Sequence, residues 1–456
     1  MAIDLHASPA PPSGIARLFA VFAPVRRSEL VGVVLLTVNV LVLLSCYYLL
    51  KVLREPLILL GGGAELKAYA SAGQTLLLLG VVPAFGWLSN RVSRLRLLTT
   101  VQLIFIGCLV AFYALAEAHA PIGLAFYLWL GIFNVLVISN FWSFANDVYT
   151  PEQGKRLFAV IGIGASIGAI IGAYVPKLIH RAVGLHGLFL YAAAGLALSI
   201  ALYQLVDRRA PDRATDAAAP PTPPEERASA INGFGLVMRN RYLRLLAFMV
   251  LVATVINTTG EYVIGKMATD RAGELAAAAR DEYLSSFYSG YYTAVNVLSA
   301  LLQAFVVGRL LHGLGIRRAL FVMPLIVLGG WFALLLFTTV STVRVEKTVE
   351  NSLDYSLHNT LRQALFLPTR REHKYQGKAA IDTFFFRMGD VVAGIGVVFL
   401  LVEVLGLGAR AFAGLNVGLA LVWIALAARA GRVHDQLAAE ARPEDDEQEA
   451  DGRGRA

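Results

Sequence analysis

Apolar runs about twenty residues long recur from one end of this chain to the other, and no soluble core of this size has room for them. We place twelve: 29–50, 66–88, 97–117, 122–145, 158–177 and 186–206 in the first half, then 244–266, 286–308, 319–340, 345–367, 379–402 and 408–430 in the second. In lipid only helices and closed barrels satisfy their own backbone hydrogen bonds. The runs lack the alternating pattern of barrel strands, so the spacing predicts an all-α membrane protein with about 12 transmembrane helices. Only 16% of residues are charged, well below the roughly 25% of a soluble domain, and the mean hydropathy is +0.62. A disordered chain, a collagen and a disulfide scaffold are excluded on the same grounds. The first run is too long, and has no small-residue cleavage site after it, to read as a cleaved signal peptide.

The formal net charge of +8 would suggest nucleic acid in a soluble protein. Here the cations gather between the apolar runs: Arg26 and Arg27, Arg91 to Arg96, Lys155 and Arg156, Arg208 to Arg227, Arg317 and Arg318, and Arg370 to Lys374. These gaps all fall on one face if both termini are cytoplasmic, as the retention of positive charge inside predicts, and no nucleic-acid partner is implied. The opposite gaps are short, apart from the mixed-charge stretch 266–282.

Residues 207–243 read as a cytoplasmic linker, proline-rich at Pro220, Pro221, Pro223 and Pro224. It separates an N-terminal six-helix bundle, 29–206, from a C-terminal one, 244–430; residues 1–28 form a cytoplasmic N-terminal segment and 431–456 a charged cytoplasmic tail. The halves resemble repeats. Gly86–Arg96 resembles Gly308–Arg318, and Gln153-Gly154-Lys155 recurs as Gln376-Gly377-Lys378, with offsets of 318 − 96 = 222 and 378 − 155 = 223. Paired six-helix repeats enclosing a midplane cavity are a common transporter plan.

Charge inside such runs costs about 2.5–3.5 kcal/mol per residue on insertion scales, so it faces a cavity, a partner or a function. The tenth run carries Glu350, Asp354, His358 and Arg362 at steps of four, a polar line about 18 Å long beside Asn351, Tyr355 and Asn359. It faces a cavity; the rival reading is an amphipathic helix lying on the membrane surface. Lys51, Arg54 and Glu55 share one face at the end of the first run, with interfacial snorkelling as the alternative. Glu261 and Lys266 lie in the seventh run; Lys378 with Asp382, and Arg387 with Asp390, stand at the start of the eleventh. Local ion pairing is the alternative for these. The candidate substrate-binding residues are therefore Lys51, Arg54, Glu261, Lys266, Glu350, Asp354, Arg362, Lys378 and Arg387. Arginine offers a planar fork and lysine a point charge to phosphate or carboxylate, so cations supplied by both halves suit an anionic solute.

Several motifs lead away from chemistry. Gly162–Gly172 looks like a phosphate loop but matches neither dinucleotide nor Walker spacing; small residues every four positions predict close helix packing instead. Cys46 and Cys108 are the only cysteines and read as small packing residues. No histidine pattern suits a metal, no nucleophile turn occurs, and no catalytic residues, metal or cofactor are expected.

Two segments carry a family resemblance. Phe141-Trp-Ser-Phe-Ala-Asn146 with Glu152-Gln-Gly-Lys-Arg156, and Tyr355-Ser-Leu, Leu367-Pro-Thr and Gly377-Lys-Ala-Ala-Ile-Asp382, resemble the ATP/ADP-exchanging nucleotide transporters of plastids and intracellular bacteria. Leu53-Arg-Glu-Pro-Leu57 and Glu261 extend the likeness over both halves. The resemblance implies a major-facilitator-like fold and alternating-access transport of a nucleotide across a bacterial inner membrane. It matches Lys378 to the family lysine of Gly-Lys-Ala-Ala-Ile-Asp and Glu261 to the glutamate of the seventh helix; Arg54 stands for a lysine, and Leu130 falls near a fourth-helix glutamate. A transporter of another organic phosphate or anion, and a transporter-like membrane sensor, are the alternatives. A monomer is compatible with both halves lying in one chain.

Overall fold

A computed structural model describes residues 27–453 except 90, 210–232 and 370–372. Most of the expected linker and N-terminal segment, and Arg370 and Arg371, lie outside the described residues. Every described element is helical. In chain order they are α1 (Arg27–Ser89), α2 (Arg94–Glu117), α3 (Gly123–Val148), α4 (Pro151–Asp207), a short turn of helix at 233–239, α5 (Arg241–Gly273), α6 (Ala277–Ala319), α7 (Val322–Leu336), α8 (340–364), α9 (373–404) and α10 (Ala409–Arg453).

Fewer helices than runs are needed because two continue around a turn. Gly63 and Gly184 hold φ of 74° and 69° with extended ψ, a conformation open to glycine and closed to side chains. There the chain reverses, and α1 and α4 each contribute two membrane-crossing limbs. Gly315, with φ 69°, ends the limb of α6 in the same way. Counting limbs, 2 + 1 + 1 + 2 in the first half and six single ones from α5 to α10 give twelve. The two halves of each repeated motif fall at matching places in this order: Gly86–Arg96 and Gly308–Arg318 each join the second limb of a half to the third, and Gln153 and Gln376 each stand at the start of its fifth.

Local chemistry sets the other ends. Thr150 caps α4 by accepting from the Gln153 amide at 3.4 Å while the Gln153 side chain accepts from the Thr150 amide at 3.0 Å, and Pro151 opens the first turn. Asn240 caps α5 through the Leu243 amide at 3.0 Å. α10 does not stop where its apolar run does, but runs on to Arg453.

Side chains from α1 to α4 form one buried cluster, centred on Leu36, Phe126, Phe133 and Phe189; a second is centred on Tyr288, Trp331, Phe412 and Trp423. The second cluster takes in Val52, Ile58 and Ala64 from α1, so the two halves meet through a packed seam. The outward surfaces carry exposed Leu103, Ile104, Phe305, Phe332 and Ile395, as lipid contact requires. Cys46 is buried, its thiol donating to the Ala192 carbonyl at 3.6 Å, and Cys108 is half-buried.

The glycine run of α4 is a packing surface. A Cβ on Gly164, Gly168 or Gly172 would lie 2.5, 2.3 and 2.2 Å from the carbonyl oxygens of Thr37, Leu41 and Ser45 on α1, whereas at Gly162 it would meet nothing. The steps of four on both helices place glycine against backbone at each turn, and the Ser45 hydroxyl donates to the Gly168 carbonyl at 3.0 Å. Gly168→Ala should therefore lower thermal stability by about 1–3 kcal/mol or more, the cost of overpacking, while Gly162→Ala leaves it unchanged; melting of the two detergent-purified variants checks this.

Candidate functional site

The first limb of α1 decides where the site sits. The sequence places Lys51, Arg54 and Glu55 at the end of a span, but helix continues through Pro56 up to the Gly63 turn. These residues therefore stand inside a long limb, at the seam between the halves, rather than at the water interface. Glu55 is fully buried there. It accepts a close hydrogen bond from the Arg54 guanidinium, stands 2.7 Å from the Lys67 ammonium, and accepts from the Tyr292 hydroxyl at 2.9 Å. Lys67, just past the turn on the second limb of α1, reaches across to Glu261 of α5 at 3.5 Å. Burying a charge is tolerable only with such partners.

From Glu261 the polar chain continues into α8. Asn351 donates to Glu261 at 3.0 Å and to the Tyr291 hydroxyl at 2.6 Å, and Tyr291 donates to Glu261 at 3.0 Å. Asn257 donates to Asn351 at 2.7 Å and to Glu350 at 3.2 Å. Lys347, wholly buried, pairs with Glu350 at 3.0 Å and donates to the Asn257 carbonyl at 3.2 Å.

Beside this network lies a cavity of about 270 Å³ lined by Lys51, Arg54, Lys67, Tyr127, Glu261, Tyr292, Asn351 and Asp354, among others. Tyrosines furnish its apolar surface. The Arg54 guanidinium lies over the Tyr127 ring at 4.4 Å. The Lys51 ammonium lies over Tyr292 at 4.4 Å and Tyr48 at 5.3 Å, and donates to the Tyr355 hydroxyl at 3.5 Å. Among the described residues no carboxylate pairs with Lys51.

α8 packs against α5, α6 and α7, which rules out an amphipathic helix on the membrane surface. Its line of polar residues lines a second, smaller cavity: Glu350, Asp354, His358 and Arg362 all border it, and Asp354, Asn257 and Asp390 border both. In a regular α-helix, steps of four drift about 40° each around the axis. A wider, π-helical turn at Asp354–His358 offsets that drift and keeps the four on one side.

The remaining candidates lie away from the main cavity. Lys266 sits at the end marked by the Gly63 turn, 3.9 Å from Glu65 and 3.2 Å from Asp270. Lys378 pairs with Asp382 at 3.4 Å, and Arg362 approaches the same carboxylate at 3.7 Å. Arg387 pairs with Asp390 at 3.7 Å, and Asp390 also accepts from Thr258 at 2.8 Å. Leu130 is buried in the first-half cluster and lines neither cavity. Lys67, Lys347, Tyr127, Tyr291 and Tyr292 escaped the sequence reading. Lys67 hides beside a glycine turn, although its place at the head of an apolar run was a signal. Lys347 hides behind the longer line that starts three residues later.

Polar bridges between the halves extend from the cavity to one end of the molecule. Tyr262 donates to Glu65 at 2.9 Å, Tyr69 to Glu403 at 3.4 Å, and Arg181 to Glu282 at 2.9 Å. The end bearing the Gly63 and Gly184 turns is thus held shut. Removing Glu55 would leave Arg54 and Lys67 both short of a buried partner, so Glu55→Ala should cost about 3–5 kcal/mol, read as a large drop in melting temperature, with Glu55→Gln in between.

The geometry agrees with what the chain is similar to. ADP,ATP carrier protein 1 of Chlamydia muridarum is 25% identical over 304 residues, covering 58% of this chain and 56% of that one. ADP,ATP carrier protein 2 of Chlamydia trachomatis is 24% identical over 456 residues, 81% of each chain. The plastidic ATP/ADP-transporter of Solanum tuberosum is 22% identical over 324 residues, 63% of this chain and 47% of that one. The chain thus spans about half the length of the first curated relatives it matches. Among solved structures, a POT family transporter in complex with 5-aminolevulinic acid superposes with a TM-score of 0.64 at 13% identity, covering 89% of this chain and 96% of that one. The nucleoside transporter NupG superposes with 0.62 at 14% identity, covering 86% and 99%. The model of the Major Facilitator Superfamily matches residues 35–349, more than half the sequence, and the chain belongs to that superfamily.

Proposed function

We propose that this protein moves a nucleotide across a membrane by alternating access, in the manner of ATP/ADP exchange. Lys51 carries the reading: an ammonium on the wall of a cavity at the seam, cradled by tyrosine rings and paired with no carboxylate among the described residues. Arg54, although bound to Glu55, presents its guanidinium to the same space. Together they offer a phosphate chain one point charge and one planar fork, while the surrounding tyrosine rings give a nucleobase flat apolar surfaces. The names of the bacterial and plastid relatives support a nucleotide.

Transport then follows from pairing. An anion held by Lys51 and Arg54 competes with Glu55 and Glu261 for cations that now tie α1 to α5 and α6. Substrate exchanges internal ion pairs for external ones, and the two arrangements differ in which end is bridged. The bundles 29–206 and 244–430 act as the moving halves, and 207–243 as their tether. With both termini in the cytoplasm of a bacterial inner membrane, the end now bridged by Glu65, Tyr262 and Lys266 faces outward. Glu350, Asp354 and Arg362 line the way from the cavity toward Lys378 and Arg387, which act as attracting charges at the inner mouth.

The test is counterflow of labelled ADP into proteoliposomes loaded with ATP. Lys51→Ala should weaken half-saturation about 10- to 100-fold, equivalent to the 1.5–3 kcal/mol of a hydrogen bond to a charged group, and Lys51→Arg should recover part of it. Equal uptake by wild type and Lys51→Ala overturns the site. Uptake of another organic phosphate in place of ADP would keep the site and change the solute.

A further inference from the structure

The wall of the main cavity is divided by hydrogen-bonding type. α1 lines it with cations, Lys51, Arg54 and Lys67. On the part supplied by α5, α6, α8 and α9 the side-chain donors are already spent. Asn257 uses both amide hydrogens, on Asn351 at 2.7 Å and on Glu350 at 3.2 Å. Asn351 uses both of its own, on the Tyr291 hydroxyl at 2.6 Å and on Glu261 at 3.0 Å. Thr258 gives its proton to Asp390 at 2.8 Å, and Tyr262 and Tyr292 give theirs to Glu65 and Glu55, each at 2.9 Å. The Tyr355 hydroxyl keeps a proton, but it already accepts from Lys51 at 3.5 Å. What this part of the wall still offers is lone pairs. Asp354 is half-buried there, and among the described residues no cation stands within ion-pair distance of it and no hydrogen bond reaches it. The Asn257 Oδ1 likewise accepts from nothing among the described residues. Glu350, a carboxylate on the other side of that amide, fixes which end is oxygen.

A solute matched to this cavity is anionic at one end and rich in donors at the other. An ionised carboxylate presents two acceptor oxygens side by side and no donor. Guanine meets it with a ring N–H next to an exocyclic amine, two adjacent donors. Adenine and cytosine present an amine beside a ring-nitrogen lone pair, and uracil presents one N–H between two carbonyls. Guanine therefore makes two charge-assisted hydrogen bonds to Asp354, while each of the others sets a lone pair against a negative oxygen. Phe386, which borders both cavities beside Asp354, supplies a flat apolar surface for the base.

We propose that the solute is a guanine nucleotide, and that Asp354 reads the ring N–H and the 2-amino group of its base while Lys51 and Arg54 hold its phosphates. This rests on the transport reading above, which supplies the nucleotide; the base is read from this wall alone. The two ends of the solute are then recognised by different halves of the protein, phosphate by α1 and base by α8. Discrimination does not depend on shape. A base with the wrong edge leaves the Asp354 carboxylate stripped of water and without a donor, and an unpaired group of that kind rejects a ligand more strongly than a poor apolar fit does.

Calorimetric titration of the purified full-length protein with GDP, IDP and ADP tests this. Wild type should bind GDP about 10- to 100-fold more tightly than ADP, the worth of a hydrogen bond to a charged group. IDP, which keeps the ring N–H and lacks the 2-amino group, should fall between them. D354N turns one acceptor into a donor that suits the amine and lone pair of adenine, and it should reverse the order to ADP over GDP, with melting as the folding check. A purely structural Asp354 would instead weaken all three alike. ADP bound by wild type as tightly as GDP, or an unchanged order in D354N, overturns the proposal. Should D354N fail to fold, wild type decides through IDP: binding equal to that of GDP overturns the reading of the 2-amino group. A preference for ADP refutes the base and leaves the nucleotide, whereas binding of none of the three refutes the transport reading and the base with it.

Discussion

A carboxylate in a membrane protein's interior has to find a cation, and in this molecule the search for partners joins the two halves. Glu55 on the first limb of α1 could not remain ionised there without Arg54 beside it and Lys67 across the Gly63 turn. Lys67 in turn is shared with Glu261 of α5, and Tyr292 of α6 donates into the same carboxylate. Apolar packing alone would let the halves slide, because lipid tails are as apolar as leucine. The ion pairs give the seam its register, and place the cavity where they converge.

Much of this was legible in the chain. The twelve limbs follow from run length, and the tight approach of α4 to α1 from glycines at steps of four. What periodicity could not supply was depth. By hydropathy the first run ends near Leu50, because Lys51, Arg54 and Glu55 interrupt it and Pro56 follows. Yet proline is tolerated in membrane helices, and charges that pair with each other do not end one. The helix runs on, and a trio that reads as an interface stands at the main cavity of the seam, the candidate site. Lys67 was lost for the same reason: a glycine turn reads as loop, whereas Gly63 merely folds one limb against the next.

α8 shows a different limit. Its residues at steps of four identified a polar face correctly, but a regular helix would have carried Arg362 well round from Glu350. The π-helical turn at Asp354–His358 holds them on one cavity. That turn has no simple signature in residue types; it depends on what α8 packs against. Leu130 is the converse case. A family glutamate expected near that position would enter a core of Phe126, Phe133 and Phe189 in this chain. The acid facing Arg54 is its neighbour Glu55, so the cation is held from its own helix.

This arrangement bears on the proposed transport cycle. With the counter-ion on the same helix as Arg54, loss of that pair alone frees no contact between the halves. Beside the cavity, the contacts to Glu55 and Glu261 that cross the seam run from Lys67 to Glu261 and from Tyr292 to Glu55. In that proposed cycle an anion draws Lys67 away from Glu261, or Glu55 away from Tyr292, before α1 parts from α5 and α6. In the proposed cycle Lys51 is suited to the first capture because, among the described residues, it has no carboxylate to surrender, only the Tyr355 hydroxyl and the tyrosine rings. Arg54 and Lys67 follow only at the expense of pairs already made. On the proposed cycle, binding then proceeds from a cation without a carboxylate to cations already paired, and the work of opening falls on the second step, where the seam itself is the competitor.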